Sequence, residues 1–336
     1  MELPYLTADL PGTGGVLRAQ PEDFVVDEVP AYPASGAGDH VFARIEKRGL
    51  NTAQAVQRIS RTLGVAERDV GVAGMKDRHA VTRQWISLPP PVTPEQVLAF
   101  EDPDVRVLEA VRHNHKLRTG HVKANRFVLR VRDCVPDALE RATAILDVLA
   151  KAPGTPNWYG EQRFGRDGDN AERGRRIVLG EEKPPRDRKL ARLLVSALQS
   201  ELFNRWLAAR MADGLYARVL AGDVLHKIGG GMFTCEDAAT DEARLRAGEL
   251  VLTGPMFGVD MRAAQGEAGE REAAVLAPLT RESFASVSRI AEGTRRDATI
   301  LIGEPSVAAI DGTLEVRFAL PGGAYATAVM RELMKC

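Results

Sequence analysis

Apolar and polar positions alternate over several short stretches of the first half of the chain, and each predicts a strand. In "FVVDEVP" (Phe24 to Pro30) extended, β-branched residues stop at a proline, and "HVFARIEK", "RQWISL" (Arg83 to Leu88) and "RFVLRVRD" (Arg126 to Asp133) follow the same two-residue period. Between them the period changes to that of a helix. "NTAQAVQRISRTLG" opens on the capping residues Asn51 and Thr52, spaces Val56, Ile59 and Leu63 along one face, and stops at Gly64. "DALERATAILDVLAKA" is a second helix. Strands and helices without a regular βαβ rhythm predict an α+β domain with a mostly antiparallel sheet, not a doubly wound one.

The pattern shifts after a linker-like "KAPGTPNWYG", whose prolines and glycines mark a boundary. "RKLARLLVSALQSELFNRWLAARMADG" (Arg188 to Gly214) is a long amphipathic helix with Leu194, Leu198 and Leu202 on one face. A glycine-rich turn, "KIGGGMFT", and an acidic stretch, "CEDAATDEARLRAGE", come next. The end, "GTLEVRFALPGGAYATAVMREL", returns to strand, turn and helix and resembles the first region. The middle therefore reads as an insertion, giving one domain from 1–150 and 300–336 and a second from 151–299.

The length of 336 residues suits two domains. Lysine and arginine total 45 against 46 acids, so net charge says nothing about nucleic acid and local distribution has to. Cysteines at 134, 235 and 336 form neither a disulfide framework nor a metal knuckle, which fits a reducing cytoplasm. Neither a secretory leader nor a run of apolar residues long enough to span a bilayer is expected.

Local charge is uneven. Residues 111–132 hold seven lysines and arginines, three histidines and no acid. Such a stripe, ending in a strand with Asn125, Phe127 and alternating arginines, suits phosphate contacts and an aromatic face for a base, or alternatively a solvated loop and edge strand. A second basic concentration spans Arg175 to Arg192, so two basic walls could line a cleft. In "GMKDRHAVTRQW", Asp77 stands among Lys76, Arg78 and Arg83; nearby positive charge favours an ionised carboxylate, able to act as nucleophile or general base. An ordinary turn aspartate is the competing reading. His113, His115 and His121 lack a carboxylate partner, and "PGTGG" lacks the full dinucleotide fingerprint, so no metal and no nucleotide cofactor is expected.

Six blocks in order, "PEDFVVDEVP", "GVAGMKDRHAVTRQW", "KANRF", "PNWYGEQRFGRDGDN", "SALQSELFN" and "LPGGAYATAVMREL", closely resemble the TruD family of tRNA pseudouridine synthases over nearly the whole chain. The resemblance implies a pseudouridine synthase core with a mostly antiparallel sheet and an inserted TruD-specific α+β domain. It implies isomerisation of uridine to pseudouridine at position 13 of tRNA, without cofactor or metal, by a cytoplasmic monomer with no protein partner.

The family's catalytic aspartate falls on Asp77. Arg18 takes the place of a basic residue, lysine in some members, that pairs with it; Phe127 matches the stacking aromatic, and Asn125 its polar neighbour. Phe24, Lys76 and Gln84 complete the expected substrate-binding set, with His79 a further flanking residue. Arg112, Lys116, Arg118, Lys123, Arg163 and Arg166 are the expected RNA contacts. Trp158 and Tyr159 depart from the family's commoner tyrosine and phenylalanine but keep aromatic character. A flipped-out uridine is required, because C1′ is inaccessible in a stacked base. Phe127 as a core strand residue, a non-catalytic RNA-binding protein, and a hydrolase using Asp77 as base remain the alternatives.

Overall fold

The computed structural model describes residues 3–336. In chain order, β1 (Val16–Leu17), β2 (Phe24–Pro30), β3 (His40–Arg48), α1 (Thr52–Leu63), β4 (Gly71–Val72), β5 (Val81–Leu88), α2 (Pro94–Leu98), β6 (Val105–His113), β7 (Val122–Arg132) and α3 (Ala138–Leu149) form the first part. The middle contains β8 (Thr155–Pro156), α4 (Asn170–Leu179), α5 (Arg188–Ala212), β9 (Val224–Lys227), β10 (Met232–Thr234), α6 (Ala238–Arg246), β11 (Leu250–Met256), α7 (Gly266–Leu276), β12 (Thr294–Asp297) and β13 (Thr299–Ile300). The chain closes with β14 (Gly303–Ile310), β15 (Thr313–Pro321) and α8 (Ala326–Met334).

Contacts group the chain into two compact units. The first comprises Pro11–Leu146, Ile302–Ala326 and Leu333–Cys336. It is built on a nine-stranded sheet in the order β14-β15-β7-β2-β5-β3-β6, with β1 paired to β7 and β4 to β5. Only β2 and β5 run parallel; the other pairs are antiparallel, so the sheet is the mainly antiparallel one the pattern predicts. β7 lies inside the sheet, paired to β15 on one side and β2 on the other, and is not an edge strand.

One face of this sheet is covered by α1. Val56 and Ile59 of the helix join Val41, Ala43, Ile45, Ile86 and Leu88 in a buried cluster. The helix begins where the sequence places it: Asn51 accepts from the Gln54 amide, Gln54 reciprocates onto the Asn51 amide, and Gly64 ends the helix at φ 68°.

The second unit comprises residues 3–10, Asp147–Leu301 and Thr327–Glu332. It contains a four-stranded sheet in the order β10-β9-β11-β12 and the 25-residue α5, capped by Asp187 on the Lys189 amide. Leu194, Leu198 and Leu202 of α5 are fully buried. The acidic stretch contains α6, started by the Asp237 carboxylate on the amides of Ala239 and Thr240. The internal boundaries lie a few residues from the sequence-based ones, but residues 3–10 and most of α8 group with the second unit instead of with the first.

Candidate active site

Asp77 occupies the loop between β4 and β5. Its Oδ1 accepts from the His79 amide at 3.3 Å, a local turn bond, and its Oδ2 lies 3.1 Å from Arg18 Nη1. Arg18 directly follows β1, which β7 holds through the Leu17–Val131 pair. Its φ of 65° is a left-handed conformation that residues with a Cβ seldom adopt. The guanidinium lies 4.0 Å above the Phe24 ring centroid, a cation–π distance. Backbone turn, ring and carboxylate together fix one orientation for Arg18.

Beneath this half-buried pair is a largely buried polar framework. Lys76 Nζ stands 2.6 Å from Glu28 Oε2 and donates to Asn125 Oδ1 at 2.9 Å. The other Glu28 oxygen accepts from the Trp85 amide. The Lys76 amide donates to Thr52 Oγ1 at 2.8 Å, and that hydroxyl donates to Gln84 Oε1 at 2.9 Å. Lys47, with no exposed surface, donates from Nζ to the Asp77 carbonyl at 2.7 Å and to the Leu50 carbonyl. Burial pushes the Lys47 ammonium down to about 8, against the attraction of Asp77 and with the repulsion of Lys76. A Cβ on Gly74 would stand 3.4 Å from Lys76 Nζ and 3.8 Å from Glu28 Oε2, in ordinary contact with the buried ion pair.

Lys76 and Gln84 are therefore turned inward. Lys76 is committed to Glu28 and Asn125, and Gln84 bears on the loop through Thr52. Phe24 and Phe127 meet edge to face at 6.1 Å, and Phe318 lies 5.4 Å from Phe127. Phe127 is 7% exposed, so a base stacking on it must first shift what covers the ring.

Phe127 shares its face of β7 with Leu129 and Val131, both fully buried, while Arg126, Arg130 and Arg132 alternate onto the opposite face. The expected single surface of aromatic and arginines is thus divided between two sides of the sheet. On the far side the arginines are matched: Arg130 to Glu315 at 3.0 Å, Arg132 to Asp23 at 2.8 Å, and Arg126 to Glu304 at 3.5 Å. Two open cavities of about 410 and 340 Å³ lie there, one lined by Asp27, Arg44 and Arg126, the other by Glu46, Arg83 and Arg130. Neither includes Asp77, Arg18 or Phe127.

The expected RNA contacts scatter. Arg112 donates to the carbonyls of Asp39 and Val92, and Lys116 to the carbonyl of Arg68. Arg118 and Lys123 are exposed. His113, 3% exposed, stacks on Tyr32 and Phe42 and meets His115 at 3.3 Å; burial first, then His115 and His40, lower its pKa. His121 bonds the Tyr32 hydroxyl. The histidines of the basic stretch thus pack largely on one another and on aromatic rings. Arg163 and Arg166 belong to the second unit, where Arg163 donates to Ser200 Oγ at 3.1 Å and Arg166 is exposed.

Glu28 lies within the block "PEDFVVDEVP" and Thr52 reads as a capping residue, but neither of them, nor Lys47, is among the expected site residues. Phase marks two of them. Glu28 falls on the same side of its strand as Phe24 and Val26, and Lys47 on the same side as Val41, Ala43 and Ile45. A charge at an inward position must find a partner inside.

A half-buried carboxylate held by one guanidinium on a braced loop suits nucleophilic or general-base chemistry. Comparison with known proteins places the chain. A family model described as tRNA pseudouridine synthase D (TruD) matches residues 1–183 and 186–333. The tRNA pseudouridine synthase D of Anaeromyxobacter dehalogenans strain 2CP-1 is 53% identical, covering 99% of this chain and 97% of its own. That of Thermus thermophilus is 44% identical over 99% of this chain and 92% of its own. The crystal structure of a candidate tRNA pseudouridine synthase D from Methanosarcina mazei superposes with a TM-score of 0.81 at 25% identity, covering 100% of this chain and 99% of the other. The framework around Asp77 accordingly belongs to a member of the TruD family.

Proposed function

We propose that this chain isomerises uridine to pseudouridine in tRNA, at position 13, with Asp77 as the catalytic carboxylate. The observation that carries the reading is the Asp77–Arg18 pair at 3.1 Å beside the Phe24 and Phe127 rings, in a chain whose family is defined by this activity. The reaction breaks the C1′–N1 bond, turns the uracil while it is held, and joins C1′ to C5; the C5 proton leaves and N1 gains one. Nothing is oxidised or reduced. Asp77 serves by adding to C1′ or by removing a ribose proton to give a glycal.

The other residues take roles that follow from their contacts. Arg18 orients the carboxylate through the 3.1 Å contact. Because Asn125 Oδ1 already accepts from Lys76, its amide NH₂ is the group left to donate to a uracil oxygen. Phe127, with Phe24, offers aromatic surface once the uridine is flipped out and the covering groups shift. Exposed Arg118, Lys123 and Arg166 are the better candidates for phosphate contacts, whereas Arg112, Lys116 and Arg163 already have bonds within the protein. In this reading residues 1–150 and 300–336 form the catalytic domain, 151–299 the insertion, and the protein acts as a cytoplasmic monomer without a cofactor.

The test is incubation with an unmodified tRNA transcript, carbodiimide labelling and primer extension. A protein-dependent stop at one uridine is expected, and its absence with folded protein refutes the activity. Asp77→Asn should lower the single-turnover rate by at least about 10³-fold while tRNA affinity stays within about three-fold, because it removes chemistry and leaves the phosphate contacts.

A further inference from the structure

We infer that Lys47 is a positioning residue for this reaction: its buried ammonium grips the main-chain carbonyl of Asp77 and sets where the carboxylate stands relative to the bound uridine. The inference rests on the assignment of Asp77 as the catalytic carboxylate.

Lys47 lies on β3, an interior strand, with Thr82 of β5 and Val105 of β6 as its cross-strand neighbours. Val41, Ala43 and Ile45 occupy the preceding inward positions of that strand, and each is fully buried. An apolar side chain at the fourth inward position would pack there without the cost of burying a charge. The lysine instead reaches two main-chain carbonyls, that of Leu50 just before α1 and that of Asp77. What the charge supplies is a tie between the sheet and two loops, one of which carries the reactive group.

This tie complements Arg18. Arg18 holds the outer end of Asp77, the carboxylate at 3.1 Å, and Lys47 holds the inner end, the carbonyl at 2.7 Å. With both ends held, little freedom remains for the side chain to swing away from an attacking position. Precise placement matters here because a misplacement of about 1 Å can cost roughly 10²-fold in rate.

The charged groups facing the Lys47 ammonium come from the Asp77 loop. They are Asp77 itself, whose carboxylate is paired to Arg18, and Lys76, which is paired to Glu28. Lys47 loses its proton above about pH 8, and with it the charge-assisted character of the bond to Asp77. An alkaline fall in the chemical step is the signature that separates positioning from a purely structural role.

The experiment measures single-turnover rates with saturating full-length protein, and tRNA affinity, from about pH 7 to about pH 9 for wild type, Lys47→Met, Lys47→Gln and Asp77→Asn. Lys47→Met should lose about 10²-fold in rate at the lower pH, keep its tRNA affinity within about three-fold, and show no alkaline fall. Lys47→Gln, an uncharged donor, should recover part of the rate with a flat profile, whereas the wild-type rate should fall several-fold over the range. A Lys47→Met protein with the wild-type rate overturns the inference. Should circular dichroism show that Lys47→Met is unfolded, Lys47→Gln decides: a wild-type rate together with a wild-type pH profile overturns the inference. Activity in Asp77→Asn instead rejects the assignment of Asp77, whereas an inactive Asp77→Asn beside a fully active Lys47→Met rejects the role of Lys47 alone.

Discussion

On one face of the large sheet Lys76 and Glu28 meet at 2.6 Å with side chains 8% and 0% accessible; on the other, Arg83 and Glu46 meet at 2.8 Å with side chains 39% and 27% accessible. The distances are nearly equal and the surroundings are not. In water an ion pair gains little over the separated, hydrated charges. Out of water, each partner depends on the other to offset its desolvation, and losing one leaves the second stranded. The outer face pairs solvent-accessible arginines with acids whose accessibility is 27% at Glu46, 2% at Glu315 and 0% at Asp23, so each of these pairs keeps at least its arginine near solvent. The inner face keeps few charges and arranges them so that Asp77 is held from several directions. The number of arginines on a strand therefore says less about where the chemistry lies than the solvent access of each charge.

The contrast breaks most readily at Lys76. Lys76→Met strands the Glu28 carboxylate, and a loss of about 3–5 kcal/mol in unfolding free energy is expected from urea titration at neutral pH. A loss no larger than that of an exposed pair would erase the difference between the faces.

A second test uses pH. The folded value of Lys47, about 8, lies below the ordinary lysine value of 10.5. Between these values the unfolded chain binds more protons than the folded one, so the contribution of Lys47 to stability rises with pH across this window; below about pH 8 the full burial cost is present. Urea titrations at either end should show stability gained by wild type relative to Lys47→Met, and parallel curves would refute a buried ammonium. The smallest effect belongs to the outer face. Arg83→Ala should change unfolding free energy by only about 0–1 kcal/mol and leave the single-turnover rate unchanged.

Much of the local structure was legible in the sequence. α1 is announced by Asn51, Thr52 and Gly64 because its signals are local: capping side chains at the start and a glycine able to take a left-handed turn at the end; the reciprocal bond from Gln54 is added by the structure. The strand periods were equally local. The same period in "RFVLRVR" places Phe127 with Leu129 and Val131 and opposite the arginines, so the division of the basic stripe follows from phase once solvent access is known.

The supports of Asp77 were not legible in this way. Glu28 and Asn125 lie 48 and 49 positions from Lys76, and nothing in their immediate neighbours names the lysine that joins them. Pairings over that separation are decided by how strands register in the sheet, which here sets Glu28 directly opposite Asn125.

Thr52 is the first residue of α1, and its one hydroxyl oxygen accepts from the amide of the residue before Asp77 while donating to Gln84 on β5. Fraying of the helix's first turn is therefore expected to loosen the Asp77 loop with it. Exchange of the Lys76 amide proton with deuterated solvent checks this: it should speed up when Thr52→Val removes the shared hydroxyl.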